Sequence, residues 1–321
     1  MPDSLIKKST RLRELIERPE PLIMPGGFSP YLAKMAEVAG FEAYFMAGSQ
    51  TAAFLYGLPD VGVVGARDLV DHAWHMAARC DIPIFADADT GFGNAVGVYY
   101  AVQEYVRTGV AGMHIEDQEA PKKSGIHAGK RCIPVDEAVG KYRAAVAARD
   151  ELDPDFVICA RCDALEAEDG GYEVAVQRSI AYAEDAKVDM IWLNGLRTRE
   201  EIAEACRRIP APVLTSYYGP PPTPSLDEWR SMGVAVAIFP VIASVVAAQA
   251  AWSFLNTMNE EGPAAMDRWR EGVQASRWGA PDPHRLGNEQ LIRSIEANFL
   301  PDELQRDYEH TFAHGGEPGG R

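Results

Sequence analysis

Short apolar runs alternate with longer amphipathic segments along most of the chain. The runs are three to six residues long and contain few polar positions, of which His114 is one. That pattern is typical of strands that are buried on both faces of a parallel sheet. Eight runs predict strands: Leu22–Met24, Ala43–Met46, Ile82–Ala86, Gly112–Ile115, Phe156–Ala160, Met190–Leu193, Val213–Thr215 and Val234–Phe239.

The segments between these runs predict helices, several of which begin at a capping Ser, Asp or Thr. They cover Ser29–Ala39, Ala66–Arg79, Ala95–Arg107, Val135–Asp150, Tyr172–Glu184, Thr198–Arg208 and Leu226–Ser231. Eight repeats of strand and helix predict an α/β protein with a closed (β/α)8 barrel over residues 1–258. Residues 259–321 are predicted to form a C-terminal helical extension. A doubly wound open sheet is disfavoured, because no glycine-rich phosphate loop follows the first strand.

Polar residues cluster where the predicted strands end, which is where barrels carry their active sites. In strand order they are Ala47-Gly48-Ser49, then Asp87 and Asp89, then His114, Glu116 and Asp117, then Arg161 and Asp163, then Asn194, then Ser216 and Tyr217. The two acidic clusters predict a site for a hard divalent cation such as Mg²⁺, which prefers carboxylate and water ligands. Arg161 is well placed to bind a substrate carboxylate. His114 either binds substrate or supports the site through a hydrogen bond.

Two segments are predicted to be long loops over the barrel mouth. Residues 118–133 contain Ser124, His127 and four cations, and such a glycine-containing loop is expected to close as a lid over the substrate. Residues 48–66 contain Gly57-Leu58-Pro59-Asp60, which places the Asp60 carboxylate in a rigid turn near the metal or the substrate.

Composition restricts the partners of the protein. The chain has 321 residues, is 47% hydrophobic and carries a net charge of -16, so nucleic acid and anionic membranes are not expected partners. The N-terminal sequence MPDSLIKKSTRLREL lacks the apolar core of a signal peptide, and no stretch is apolar enough for a transmembrane helix. We therefore expect a cytoplasmic protein that acts on a small anionic substrate. Its five scattered cysteines do not indicate a disulfide framework.

Five motifs, taken in order, resemble those of the isocitrate lyase and phosphoenolpyruvate mutase superfamily. They are Gly57-Leu58-Pro59-Asp60, Asp87-Ala88-Asp89-Thr90-Gly91-Phe92-Gly93, His114-Ile115-Glu116-Asp117-Gln118, Pro121-Lys122-Lys123 and Ala160-Arg161-Cys162-Asp163-Ala164. The resemblance covers roughly residues 10–258. Within the superfamily, the chain looks most like the branch that holds 2-methylisocitrate lyase, dimethylmalate lyase and oxaloacetate decarboxylase.

The resemblance implies a Mg²⁺-dependent barrel enzyme, with Mn²⁺ as an alternative metal, whose chemistry passes through an enolate. It also implies a homotetramer in which C-terminal helices swap between subunits, so that residues 259–321 pack as an arm. It assigns the metal to Asp87, Asp89 and Glu116, with Glu116 holding metal-bound water. Substrate binding falls to the backbone amides of Ala47, Gly48 and Ser49, and to Arg161, Asn194, Ser216 and His114. Catalysis falls to Asp60, Lys123, Ser124, His127 and Arg161.

Departures from the family motif leave the reaction open. Ser124 replaces the lid cysteine, and one extra residue displaces His127. Asn194 stands where the lyases usually have glutamate, Ser216 stands where this branch usually has asparagine, and Ala47 lacks the hydroxyl often found at its position. One reading is a carbon–carbon lyase that cleaves a substituted 2-hydroxy di- or tricarboxylate, with Ser124 and His127, or Tyr217, as the acid. A decarboxylase or hydrolase of an oxaloacetate-like 2-oxo acid is the alternative. A phosphonate mutase and a non-catalytic anion binder are weaker readings.

Overall fold

The computed structural model describes residues 6–279, 286 and 289–308. Eight parallel strands close into a barrel in sequence order, and the last strand pairs with the first. The strands are β1 Leu22–Gly27, β2 Tyr44–Met46, β3 Ile84–Asp87, β4 Gly112–Glu116, β5 Val157–Cys162, β6 Met190–Leu193, β7 Val213–Thr215 and β8 Val236–Phe239. Each coincides with one of the eight apolar runs, so the predicted (β/α)8 barrel is confirmed.

The first helix, α1 Lys8–Glu17, precedes β1. The helices that follow the barrel strands along the chain are α2 Pro30–Val38, α3 Gly48–Tyr56, α4 Ala66–Ala77, α5 Ala95–Thr108, α6 Val135–Leu152, α7 Tyr172–Glu184, α8 Arg199–Arg208, α9 Leu226–Ser231 and α10 Ile242–Glu261. The described C-terminal residues also contain α11 Ala265–Gln274 and α12 Glu289–Phe299. All seven predicted helices are present. The prediction of a loop over residues 48–66 was wrong in its first half, where α3 lies. This helix ends at Gly57, which adopts a left-handed conformation (φ 63°) that glycine tolerates without strain.

The barrel interior and its outer face are two separate apolar clusters, because successive strand residues point to opposite sides. In β6, Met190 and Trp192 belong to the interior cluster, whereas Ile191 belongs to the cluster beneath the helices. Helix α1 buries Leu12 among the interior residues, so it closes the amino-terminal end of the barrel. The opposite end carries the loops and remains available for a site.

The chain divides into two compact units, residues 1–259 and residues 260–321. The first unit contains the whole barrel. Part of the second unit, including residues 309–321 of the predicted arm, lies outside the described residues. Subunit swapping by this arm stays a prediction. Among the helices of the described chain, none has the length and apolar character needed to cross a bilayer.

Candidate active site

A cavity of about 530 Å³ opens at the carboxyl ends of the strands. Its volume lies within the usual range of small-molecule sites. Polar side chains from six segments reach it: α3, the turn after α3, β3, the 118–133 loop, β5 and the segment after β7. The polar lining consists of Ser49, Gln50, Asp60, Asp87, Lys122, Ser124, Arg161, Ser216, Tyr217, Tyr218 and Thr223.

The turn after β3 brings its two aspartates close to the cavity. The Asp87 carboxylate accepts hydrogen bonds from the backbone amides of Asp89 and Gly48, both at 2.9 Å. Asp89 adopts a left-handed backbone conformation (φ 47°), which aspartate tolerates better than most residues. Both side chains are buried, at 5% and 6% exposure, so the turn holds two carboxylates away from bulk water.

Lys122 lies inside a cluster of carboxylates. Its Nζ is 2.6 Å from Oδ1 of Asp89, 2.8 Å from Oδ1 of Asp60 and 3.5 Å from Oε1 of Glu116. The Lys122 side chain is almost fully buried. Lys123, for which catalysis was predicted, is not among the residues that line the cavity, and its catalytic role stays a prediction. The Lys123 backbone instead pairs with the Gln118 side chain and anchors the loop.

Burial and crowding of like charges shift the pKa values of these carboxyl groups. Burial, followed by the charges of Asp87 and Glu116, raises the pKa of Asp89 to about 7 even though Lys122 opposes the shift. Burial likewise raises the pKa of Glu116, against the opposing charges of Arg161 and Lys122. For Asp87, burial is outweighed by His114 and Lys122, which hold its pKa well below the ordinary value. The site therefore contains more negative charge than its own cations neutralise.

Arg161 is held by its neighbours on three sides. Its guanidinium lies 3.1 Å from Glu116 and 3.0 Å from Asp163, and it stacks on the Trp192 ring with its Cζ 4.8 Å from the ring centroid. The Arg161 Nε atom is buried and makes no hydrogen bond with any described residue. A rigidly held guanidinium with a donor still free suits the binding of a carboxylate.

The residues present fit a divalent metal that keeps part of its water shell. Nowhere in the described chain do three His, Cys, Asp or Glu side chains already form a coordination group. Mg²⁺, however, is commonly held by only one or two carboxylates together with waters. The buried Oε1 atom of Glu116 makes no hydrogen bond with a described residue, but it lies 3.1 Å from Arg161 and 3.5 Å from Lys122, so a metal-bound water would share this atom with those two cations. Asp87, Asp89 and Glu116 are thus the residues that would hold the ion.

The 118–133 loop lies over the cavity. Its two ends meet at an antiparallel bridge between Gln118 and Cys132. Gly125 packs so closely on Arg161 that an added Cβ would lie 2.5 Å from Nη2. Ser124 lines the cavity, but His127 is exposed and lies outside the lining. The structure joins these two residues by a hydrogen bond from the His127 backbone amide to the Ser124 carbonyl at 2.9 Å, and the pairing of their side chains in catalysis stays a prediction.

Other predicted substrate-binding groups are occupied by contacts within the protein. The Asn194 side-chain amide donates to Asp163 (2.8 Å) and to the Gly125 carbonyl (3.3 Å), so it ties the loop to the barrel. The Ser216 hydroxyl lines the cavity but donates to the Ile238 carbonyl. His114 is fully buried and does not line the cavity; its Nε2 lies 3.3 Å from Oδ1 of Asp87. These placements favour a supporting role for Asn194 and His114, and their predicted contact with substrate stays a prediction.

The backbone amides at the start of α3, which were predicted to bind substrate, make hydrogen bonds within the protein. The Ala47 amide donates to the Gly27 carbonyl within the sheet, and the Gly48 amide donates to Asp87. Both amides are therefore engaged, and Ser49 is the member of this segment that lines the cavity. The amino-terminal end of α3 still favours a nearby anion through its dipole.

Two residues that shape the site had no predicted role: Lys122 and Gln118. Gln118 donates to Glu116 (3.2 Å) and to Asp163 (3.1 Å), so it joins two rim carboxylates. For Trp192, period-two alternation along β6 predicts that it lies on the same side as Met190, in the barrel interior. The position of Lys122 in the cavity could not be predicted in this way, because no periodicity distinguishes two adjacent lysines in a loop.

Comparisons with known proteins show which families and structures the chain is similar to. The family model for phosphoenolpyruvate phosphomutase matches residues 12–259. A 2-methylisocitrate lyase from Aeropyrum pernix is 37% identical over 78% of this chain and 80% of its own length. A 2,3-dimethylmalate lyase from Eubacterium barkeri is 32% identical over 91% of this chain and 98% of its own. Among solved structures, oxaloacetate acetylhydrolase bound to the inhibitor 3,3-difluorooxalacetate matches with a TM-score of 0.78, at 31% identity over 91% of this chain and 97% of that one.

Proposed function

Because the chain belongs to the phosphoenolpyruvate phosphomutase family, within the phosphoenolpyruvate mutase and isocitrate lyase superfamily, we propose that it is a Mg²⁺-dependent carbon–carbon lyase. Its substrate is a substituted 2-hydroxy di- or tricarboxylate. Cleavage gives a 2-oxo acid and a second carboxylic acid. Relatives named 2-methylisocitrate lyase and 2,3-dimethylmalate lyase support this reaction class.

The observation that carries the proposal is the cluster of buried carboxylates around Lys122 and Arg161. Five carboxylates lie in or beside it, namely Asp60, Asp87, Asp89, Glu116 and Asp163. A dianionic substrate would add further negative charge to a site that already has an excess. A bound divalent cation would supply the missing positive charge and would stabilise the oxyanion that develops during cleavage. This requirement supports Mg²⁺ as the cofactor, with Mn²⁺ as a substitute.

The residues of the chain have distinct roles in the proposed reaction. Arg161 binds the carboxylate of the part that becomes the 2-oxo acid, and its stacking on Trp192 fixes its orientation. Asp60 reaches the cavity and accepts the proton of the substrate 2-hydroxyl. The bond between carbons 2 and 3 then breaks, its electron pair passes to carbon 3, and carbon 3 takes up a proton. The Ser124 hydroxyl, which lines the cavity, is the donor to that carbon.

The first experiment is an assay of 2-oxo acid release by coupled reduction, with and without Mg²⁺. The substrates are isocitrate, 2-methylisocitrate, 2,3-dimethylmalate and citramalate, and loss of oxaloacetate is followed in parallel. We expect Mg²⁺-dependent release of pyruvate or glyoxylate from at least one hydroxy acid. Asp89→Asn should abolish it, whereas Asp71→Asn, at a side chain that is 72% exposed on α4, should not. Turnover that survives both chelation and Asp89→Asn would contradict the proposal.

An oxaloacetate-type hydrolase or decarboxylase is the second candidate. Ser124 favours it, because a serine hydroxyl is a far weaker acid than a thiol with a pKa near 8.5 and is poorly suited to protonating a carbon. The similarity to oxaloacetate acetylhydrolase also favours it. Consumption of oxaloacetate alone would support this candidate, and the products would separate its two forms: oxalate and acetate from hydrolysis, pyruvate and carbon dioxide from decarboxylation.

A further inference from the structure

Helix α6 carries a buried lysine to which the proposed reaction gives no role. Lys141 is almost completely buried, at 2% exposure. Its ammonium donates hydrogen bonds to the backbone carbonyl of Thr90 at 3.1 Å and to that of Glu116 at 2.8 Å. Among the described residues, the hydrogen-bond partners of this charge are therefore two neutral carbonyl groups and not a carboxylate.

The buried ammonium works against folding stability. Burial lowers the pKa of Lys141 to about 8, although the charges of Asp117 and Glu116 oppose the shift. A lysine whose pKa is lowered by folding destabilises the folded state wherever the unfolded chain still carries the proton. Hydrogen bonds to neutral carbonyls offset only part of the cost of taking a charge out of water. Folding stability therefore does not account for Lys141.

The two carbonyls belong to the segments that carry candidate metal ligands. Thr90 directly follows Asp89 in the turn after β3, and Glu116 is the last residue of β4. The Glu116 amide donates to the Asp89 carbonyl at 2.8 Å, which already joins these segments. Lys141 joins them a second time, because its one ammonium contacts both. Two connections hold the Asp89 and Glu116 carboxylates at a more constant separation than one would.

We propose that Lys141 is a positioning residue that sets the separation between the Asp89 and Glu116 carboxylates and thereby the affinity of the site for Mg²⁺. The proposal rests on the Mg²⁺ dependence proposed above and adds a residue to it. Mg²⁺ requires nearly ideal octahedral geometry, with ligands at about 2.0–2.1 Å, so displacement of a carboxylate or of the water that it holds weakens binding. Residues that orient metal ligands without touching the metal typically contribute about 10–100-fold to metal affinity.

The charge of Lys141 and its hydrogen bonds have opposite effects on metal binding. Lys141 is a cation close to Glu116, so removal of its charge alone would favour a second cation in the site. Removal of its two hydrogen bonds would instead loosen the turn after β3 from the end of β4 and would weaken metal binding. The direction of the change in Mg²⁺ affinity therefore separates a positioning role from a simple effect of charge.

The test is isothermal titration calorimetry of the full-length protein with Mg²⁺ alone. We expect Lys141→Met to raise the Kd for Mg²⁺ at least tenfold. Arg149→Met is the matched control, because Arg149 is a second buried cation on α6, at 7% exposure. Its side chain contacts Asp189 and the Phe156 carbonyl, which precede β6 and β5 at the opposite end of the barrel. Arg149→Met should lower stability in urea but keep the Kd within twofold of the wild type.

Three results would overturn the inference: an unchanged Kd in Lys141→Met, a lower Kd in that variant, or an equal rise in Lys141→Met and Arg149→Met. Each of them leaves the Mg²⁺ dependence standing, whereas absence of Mg²⁺ binding by the wild type would overturn that dependence as well. Lys141→Gln has a shorter side chain that keeps an NH₂ donor, so it should raise the Kd less than Lys141→Met does. If Lys141→Met does not fold, a Kd of Lys141→Gln within twofold of the wild type would overturn the inference.

Discussion

Replacing Lys122 with methionine removes an ammonium group from the midst of the candidate metal carboxylates. The methionine side chain has a similar length and fills most of the same space, so packing is nearly conserved. The substitution removes the ion pairs of the Lys122 ammonium with Asp89 at 2.6 Å, Asp60 at 2.8 Å and Glu116 at 3.5 Å. What remains is a group of buried carboxylates without their nearest cation.

Removal of one partner from a buried ion pair typically lowers the free energy of unfolding by about 3–5 kcal/mol. We expect a loss near the lower value at pH 8, since Asp60 is only half-buried and keeps some hydration. Loss of Lys122 also raises the pKa of Asp89 and Glu116 further, so the folded state binds more protons than the unfolded state. The loss in the free energy of unfolding of Lys122→Met is therefore greatest at high pH. As pH falls, this loss shrinks by about 1.4 kcal/mol per pH unit for each carboxyl group that becomes protonated.

The assay is urea unfolding of the wild type and of Lys122→Met at pH 8 and pH 6, each with and without Mg²⁺. Mg²⁺ should restore much of the stability of the variant at pH 8, because it supplies positive charge to the same carboxylates. Lys123→Met is the matched control and should change the free energy of unfolding by less than about 0.5 kcal/mol, since its side chain does not line the cavity. Equal losses in the two variants, or a deficit for Lys122→Met that does not depend on pH, would contradict the role assigned to the Lys122 ammonium.

Three further predictions concern neighbouring residues. The pKa of Asp89 is raised to about 7, so between about pH 4 and pH 7 the folded state binds a proton that the unfolded state has released. The free energy of unfolding of the wild type without metal should therefore fall as pH rises through this range. Asp89→Asn should flatten that fall in urea unfolding measured at several pH values, and an unchanged slope would contradict the assignment. Ser124→Cys should raise turnover of 2-methyl-substituted hydroxy acids about tenfold or more if proton donation limits the rate, and unchanged kcat would exclude Ser124 as the limiting donor. Gly125→Ala should raise KM at least tenfold, because the added Cβ clashes with Arg161. Gly140→Ala on α6 is the control and should leave KM unchanged, since no atom lies within 4 Å of its added Cβ. Equal KM values in the two variants would show that the loop does not pack closely on Arg161.

The pattern of the sequence is enough to predict the barrel and the positions of its rim. Buried parallel strands leave continuous apolar runs, and eight of them alternating with helices fit few other architectures. The ends of the predicted strands also place Asp87, Glu116 and Arg161 at the rim of the barrel. Helix α3 was not predicted because no side chain caps its first turn, so its nine residues lack the usual sequence signal for the start of a helix.

Tertiary packing selects which rim side chains enter the cavity. Lys122 lines the cavity and Lys123 does not. The sequence alone could not predict this difference, because an irregular loop has no periodicity that would assign adjacent residues to opposite sides. Asn194 is engaged by Asp163 and by the 118–133 loop, which are distant from it in sequence. Local sequence therefore specifies the elements and the chemical groups, whereas long-range packing decides which of those groups remain free to contact a ligand.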